Sequence, residues 1–152
     1  MTSRWMRPAS VCLALGALGV SIYLAIAHLT DPEVLACAAS GAVNCVEVTT
    51  SAQSVVAGIP VAYLGVAWSL AMVGLCLPAA WRARAPWIRP LRLALATSGL
   101  VFVLWLIYAE LFLIRAICLW CTVVHVLTFA LFAVVALAWI GEPDASSTRA
   151  GA

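Results

Sequence analysis

Residues 118–140 read CLWCTVVHVLTFALFAVVALAWI, a stretch without one charged side chain. At a rise of ~1.5 Å per residue, a helix of this length crosses the ~30 Å hydrocarbon core of a bilayer. Three further apolar stretches are similar in span: Pro8 to Leu29, Ile59 to Pro78, and Leu91 to Ile114. Leu, Ala, Val and Gly run through all four without the alternation of a membrane β-strand. Backbone N–H and C=O groups find no water in lipid, so these stretches are expected to be helices. The 152 residues are 66% hydrophobic and 9% charged, with no lysine, whereas a soluble domain carries about a quarter charged residues. The expectation is an all-α integral membrane protein. It consists of a four-transmembrane-helix bundle over residues 1–140, with a short extracytoplasmic loop or half-helix between helices one and two. Residues 141–152, with Pro, Ser and Gly, read as a disordered cytoplasmic tail.

Arginine placement orients this bundle. Arg4 and Arg7 precede the first helix, and Arg82, Arg84, Arg89 and Arg92 crowd the link between the second and third. The loop from Thr30 to Gly58 has no Arg or Lys but contains Asp31, Glu33 and Glu47. The positive-inside rule then predicts cytoplasmic termini and an external 30–58 loop, Arg115 being the one exception. Ala25-Ile26-Ala27 looks like a leader cleavage site, but the apolar run before it exceeds the ~7–15 residues of a signal core. Retention of the first helix is expected.

This topology sorts the six cysteines. Cys12 and Cys76 fall in the cytoplasmic halves of helices one and two, where buried lone cysteines behave as small hydrophobes. Cys37, Cys45, Cys118 and Cys121 fall at or beyond the outer face, the side where disulfides persist. Three pairings are open to four cysteines, and proximity favours Cys118–Cys121. The quartet fits a static framework, a thiolate metal site or a redox relay. The reactivity of C-x-x-C thiols favours the relay. Cys118 and Cys121 stand in the first turn of helix four, where free N–H groups and the dipole favour thiolate, and Arg115 adds positive charge.

Cys37-Ala-Ala-Ser-Gly-Ala-Val-Asn-Cys45, then Ser51, then Gly58-Ile-Pro-Val-Ala-Tyr-Leu-Gly65, then Cys118-Leu-Trp-Cys121 closely resembles the vitamin K epoxide reductase family, its bacterial members above all. The resemblance covers about Val11 to Ile140. It implies that Cys121 donates electrons to a quinone of ubiquinone, menaquinone or phylloquinone type, leaving a Cys118–Cys121 disulfide. Cys45 would reduce that disulfide by attacking Cys118, and Cys37 would exchange with a separate thioredoxin-like extracytoplasmic protein. Ser51 matches a family serine or threonine linked to the reaction. Its plain alternative is a loop hydroxyl in a Thr49-Thr50-Ser51 cap. The resemblance also implies a half-helix from Val43 to Val56 lying over the quinone pocket, and an enzyme in the plasma membrane with its active site at the extracytoplasmic face. A family of four-helix quinone-linked proteins with an early C-x-x-C is disfavoured, because here that motif comes last.

Further residues bear on the quinone. His125 lies one turn after Cys121 on the same helix face and is expected to contact a quinone oxygen or relay a proton, a packed core histidine being the alternative. Among the aromatics, Trp120 within the C-x-x-C and Tyr63 beside Gly58-Ile-Pro stand out as pocket candidates. Glu110 is expected to pair with Arg115 or to snorkel to the interface rather than carry protons. Gly16, Gly19, Gly65, Gly74 and Gly99 are expected to permit close helix packing. Neither a metal site nor a nucleic-acid-binding stripe is expected.

Overall fold

The computed structural model describes residues 3–31, 35–37, 42–83 and 85–141. Glu33, Arg84, residues 38–41 of the loop motif and residues 142–152 of the expected tail lie outside the described residues, as does the Arg4 side chain. Helix α1 runs Ser3–Leu29, α2 Cys45–Thr50, α3 Val61–Cys76 and α4 Pro78–Arg82. Helix α5, Ile88–Tyr108, continues as a π-helix over Ala109–Ile114, and α6 is Leu119–Gly141. Among the described residues, three runs are long and apolar enough to cross a membrane: Trp5–Leu29, Ile88–Ile114 and Leu119–Gly141.

The second apolar stretch is shorter as a helix than expected. Its 16 residues, Val61–Cys76, extend only ~24 Å at ~1.5 Å per residue. Two local events trim it. Ile59 and Pro60 form strand β2, paired with β1 (Val55–Val56) in register Val56↔Ile59. The two residues between, Ala57 and Gly58, have φ of 53° and 82°, which suits a tight hairpin turn of the kind that follows strand twist. At the other end Leu77 turns extended (φ −55°, ψ 146°) and Pro78 opens α4, where a missing N–H removes no helical bond.

Helix α1 packs against both α3 and α6, and α5 closes the bundle against α6 and α3. One core lies at mid-bundle around Met72, Leu131 and Ala96, and another around Leu24, Cys45 and Cys118 at the far end. Large apolar side chains such as Leu70, Val101 and Val126 cover the outer surface. Cys76 is buried beside Ser10, whereas Cys12, expected to be buried, faces outward. Helix phase decides this: Ala14 and Ala17 take the inward face of that part of α1.

Among the described residues, the arginines other than Arg115 gather at the end opposite Cys37, Cys45, Cys118 and Cys121. Arg92, 3% exposed, donates from Nε to the Leu75 carbonyl at 2.9 Å, and its guanidinium lies 3.6 Å from the Trp81 ring centre. Arg89 donates to the Trp139 carbonyl at 2.8 Å and lies 4.8 Å from the ring of the same residue. Each arginine thus caps the last turn of an antiparallel neighbour, where the helix dipole favours a cation. A desolvated cation–π contact adds ~2 kcal/mol.

Only some glycines permit close packing. The Trp68 indole lies across Gly99 and donates to the Leu95 carbonyl at 2.9 Å, so a Cβ at 99 would collide with the ring. A Cβ on Gly65 would stand 3.1 Å from Ser21 Oγ, and one on Gly16 3.4 Å from Leu127. Gly19 and Gly74, also expected at close contacts, would meet nothing within 4 Å. Gly99→Ala is therefore expected to destabilise the protein by ~1–3 kcal/mol through overpacking. Gly74→Ala should be neutral or up to ~1 kcal/mol stabilising through helix propensity. Thermal unfolding of both variants in detergent checks the contrast.

Candidate functional site

The site starts from a backbone junction. Ile117 N–H donates to the Ala42 carbonyl at 2.9 Å and Asn44 N–H to the Ile117 carbonyl at 3.1 Å. These bonds make a parallel bridge between Val43 and Ile117. Cys45 follows Val43 by two residues and Cys118 follows Ile117 by one, so both sulfurs enter one buried cluster with Leu24, Leu35, Val48 and Ala116.

Each strand of this junction is stopped by a helix cap. Asn44 Oδ1 accepts from Glu47 N–H at 3.1 Å while Glu47 Oε2 accepts from Asn44 Nδ2 at 3.2 Å, which starts α2 at Cys45. The hydroxyls of Thr49, Thr50 and Ser51 donate to the carbonyls of Cys45, Val46 and Val48 at 2.8, 2.7 and 2.8 Å. The short helix thus satisfies its orphan carbonyls from its own side chains. It ends at Thr50, before a 3-10 turn over Ala52–Ser54, and is shorter than the 43–56 segment expected.

Cys118 caps α6 in the same manner. Its sulfur accepts from Cys121 N–H at 3.3 Å, and its carbonyl accepts from Thr122 N–H and Thr122 Oγ1, both at 2.9 Å. The Cys121 thiol also bonds to Cys118, and this contact holds the Cys118 thiol below its ordinary range, against burial and the nearby Glu110 charge, which raise it. Arg115, expected to contribute, is exposed and occupies a left-handed turn (φ 61°). Cys118 and Cys121 are free thiols, whereas Cys37 and Cys45 form a disulfide with Cα atoms 6.0 Å apart. The pair favoured by proximity is therefore the reduced one.

The Cys37 segment is gripped from two helices. Tyr23 Oη accepts from Ala36 N–H at 3.1 Å, and Trp120 Nε1 donates to the Ala36 carbonyl at 3.3 Å. Their rings meet edge-on with centres 4.9 Å apart. Nothing in the sequence pattern singled out Tyr23, because its partner is backbone distant in the chain.

Behind the thiols lies a cavity of about 370 Å³, walled by α1, α3, α5 and α6 and roofed by the 48–54 segment. Pockets of ~300–1,000 Å³ suit small aromatic ligands. Cys121 and His125 line it, as do Ser51, Trp68 and Glu110. His125 is 4% exposed, and no hydrogen bond to its ring is present among the described residues. Trp120 and Tyr63 are not among the lining residues; Tyr63 meets His28 instead, ring centres 6.1 Å apart. Glu110, expected to pair with Arg115, is 6% exposed and turned inward. Among the described residues, no three His, Cys, Asp or Glu side chains are grouped to hold a metal.

The arrangement sets an outer disulfide beside a buried dithiol at an apolar chamber, the two partners that thiol–disulfide exchange requires. The model of the vitamin K epoxide reductase family matches residues 8–136. A search of curated proteins finds no match.

Cys118 should alkylate with a midpoint below the ~8.5 of a free cysteine. A thiol whose pKa is lowered is thiolate, and reactive, at lower pH. Cys121→Ala, which removes the hydrogen bond, should move the midpoint up, and Cys121→Ser, which keeps a donor, should move it less. Rates of reaction of the reduced protein with a small apolar alkylating reagent across pH check the order.

Proposed function

We propose that this chain, which belongs to the vitamin K epoxide reductase family of membrane oxidoreductases, oxidises the thiols of a separate thioredoxin-like extracytoplasmic protein and reduces a membrane quinone. The observation that carries this reading is the Val43–Ile117 bridge, which brings Cys45 beside Cys118 while Cys121 faces the cavity. Two thiol pairs are needed because one must meet an aqueous protein and the other a lipid-dissolved ring.

In this scheme Cys37 exchanges with the partner, and the electrons move through Cys45 to Cys118. Each exchange is thiolate attack through a mixed disulfide. Cys118 stands at the helix start and its sulfur accepts from the Cys121 N–H, which suits it to be the sulfur attacked from the loop and released again in these exchanges. The quinone supplies a two-electron, two-proton acceptor. Cys121 and His125 face its ring, Ser51 belongs to the roof of the cavity, and Trp68 forms an apolar wall. Trp120, with Tyr23, positions the Cys37 segment rather than the quinone.

The same reading gives four membrane crossings, with α3 and α4 together forming the second. Both termini are cytoplasmic, and the cysteine end lies at the extracytoplasmic face of the plasma membrane. The capped arginines at the opposite end support it under the positive-inside rule.

Purified protein, a reduced thioredoxin-like protein and a short-chain quinone test the proposal together. Wild type should oxidise the partner catalytically. Cys118→Ala and Cys121→Ala should lose quinone reduction outright. Cys37→Ala and Cys45→Ala should lose partner oxidation, yet keep quinone reduction driven by a small dithiol. His125→Phe should slow quinone reduction by ~10²-fold if its imidazole handles a proton. Turnover by a protein lacking sulfur at 118 and 121 would overturn the scheme.

A further inference from the structure

The relay as drawn leaves one buried charge without a task. Glu110 lies in the π-helical turn Ala109–Ile114, and helical irregularities of this type concentrate at functional sites. It shares the cavity wall with Cys121 and His125. Its carboxyl meets the backbone N–H of Cys118 and is close enough to both inner thiols to act on them electrostatically. The other titratable groups lining the chamber are Cys121 and His125 from α6 and His28 from α1, with Cys118 in the buried cluster at the same end. Arg115 makes no ion pair with it among the described residues.

A carboxylate inside a membrane helix is costly to insert, and a single hydrogen bond does little more than offset that cost. A purely structural position would be filled better by leucine. Cys118, by contrast, is 0% exposed and has no solvent to take its proton.

We infer that Glu110 is the proton carrier between the inner dithiol and the quinone, a conclusion that rests on the quinone reading above. Closing the Cys118–Cys121 disulfide breaks two S–H bonds, forms one S–S bond and releases two electrons and two protons. The quinone takes up both electrons and both protons and becomes a quinol. The Cys121 proton leaves directly into the chamber that its side chain lines. The Cys118 proton passes to the Glu110 carboxylate, which then gives it to a quinone oxygen and is ready for the next turnover.

The test separates the two half-reactions. Fully reduced protein is mixed with a short-chain quinone, and quinol formation is followed in a single turnover. Exchange between the oxidised outer pair and the reduced thioredoxin-like protein is timed separately. Glu110→Gln should slow quinol formation by ~10²-fold or more, the usual scale of acid–base assistance. It should leave partner exchange unchanged, and Glu110→Asp should restore most of the lost rate. A solvent deuterium effect on quinol formation should be larger in Glu110→Gln than in wild type. Wild-type quinol formation by Glu110→Gln would overturn the inference, as would equal slowing of both half-reactions, with no rescue by Asp. A wild-type protein that forms no quinol would remove the quinone reading itself, and this inference with it, before any variant is made.

Discussion

A pair of backbone hydrogen bonds across Ile117 holds the chemistry of this protein together. Polar loops at a membrane surface have few apolar contacts to place them, and a hydrophobic cluster alone leaves sliding freedom along the chain. Amide bonds do not. By closing a bridge with Val43, the residue before Cys118 sets the register of the outer loop against the start of α6. The caps at Asn44 and Cys118 then turn both strands into helices immediately beyond the bridge, so both sulfurs enter one buried cluster from two helix beginnings. The grip of Tyr23 and Trp120 on Ala36 does for Cys37 what the bridge does for Cys45.

The placement of Cys118 also decides how sulfur reactivity is shared within the C-x-x-C. A helix spacing of three sets the Cys121 N–H over the Cys118 sulfur, so one cysteine becomes the acceptor and the other the donor. The asymmetry matches a sequence of exchanges in which Cys118 is the sulfur attacked from the loop side and Cys121 the one open to the chamber. The same spacing puts His125 on the chamber wall a turn deeper.

Much of this was legible in the residues. Apolar spans, the arginine-rich end and the C-x-x-C at a helix start follow from solvation and helix geometry alone. The inward turn of Glu110 was legible too: Arg92, Ala96, Gly99, Val103, Leu106 and Glu110 are spaced four and three apart, a single helical stripe. Reading Glu110 against nearby Arg115 rather than against that stripe led to the wrong partner. The trimming of α3 was signalled by Ala57-Gly58 and by Pro78, both turn residues inside an apolar run. The Val43–Ile117 bridge and the Tyr23 contact were not legible. Both join backbone to groups far along the chain, and hydrogen bonds to backbone leave no trace in residue identity. The outward face of Cys12 depended on helix phase, which an evenly apolar helix does not announce.

Arg89 and Arg92 do two jobs with the same atoms. Under the proposed topology their charge sets how the chain enters the bilayer, and their guanidinium groups fasten the ends of α6 and α3. On that topology, direction of entry and tightness of the finished bundle are not separable traits. Moving these cations would also unbutton that end of the bundle, so under the proposed topology the side on which the cysteines face is guarded by the mechanics of the fold.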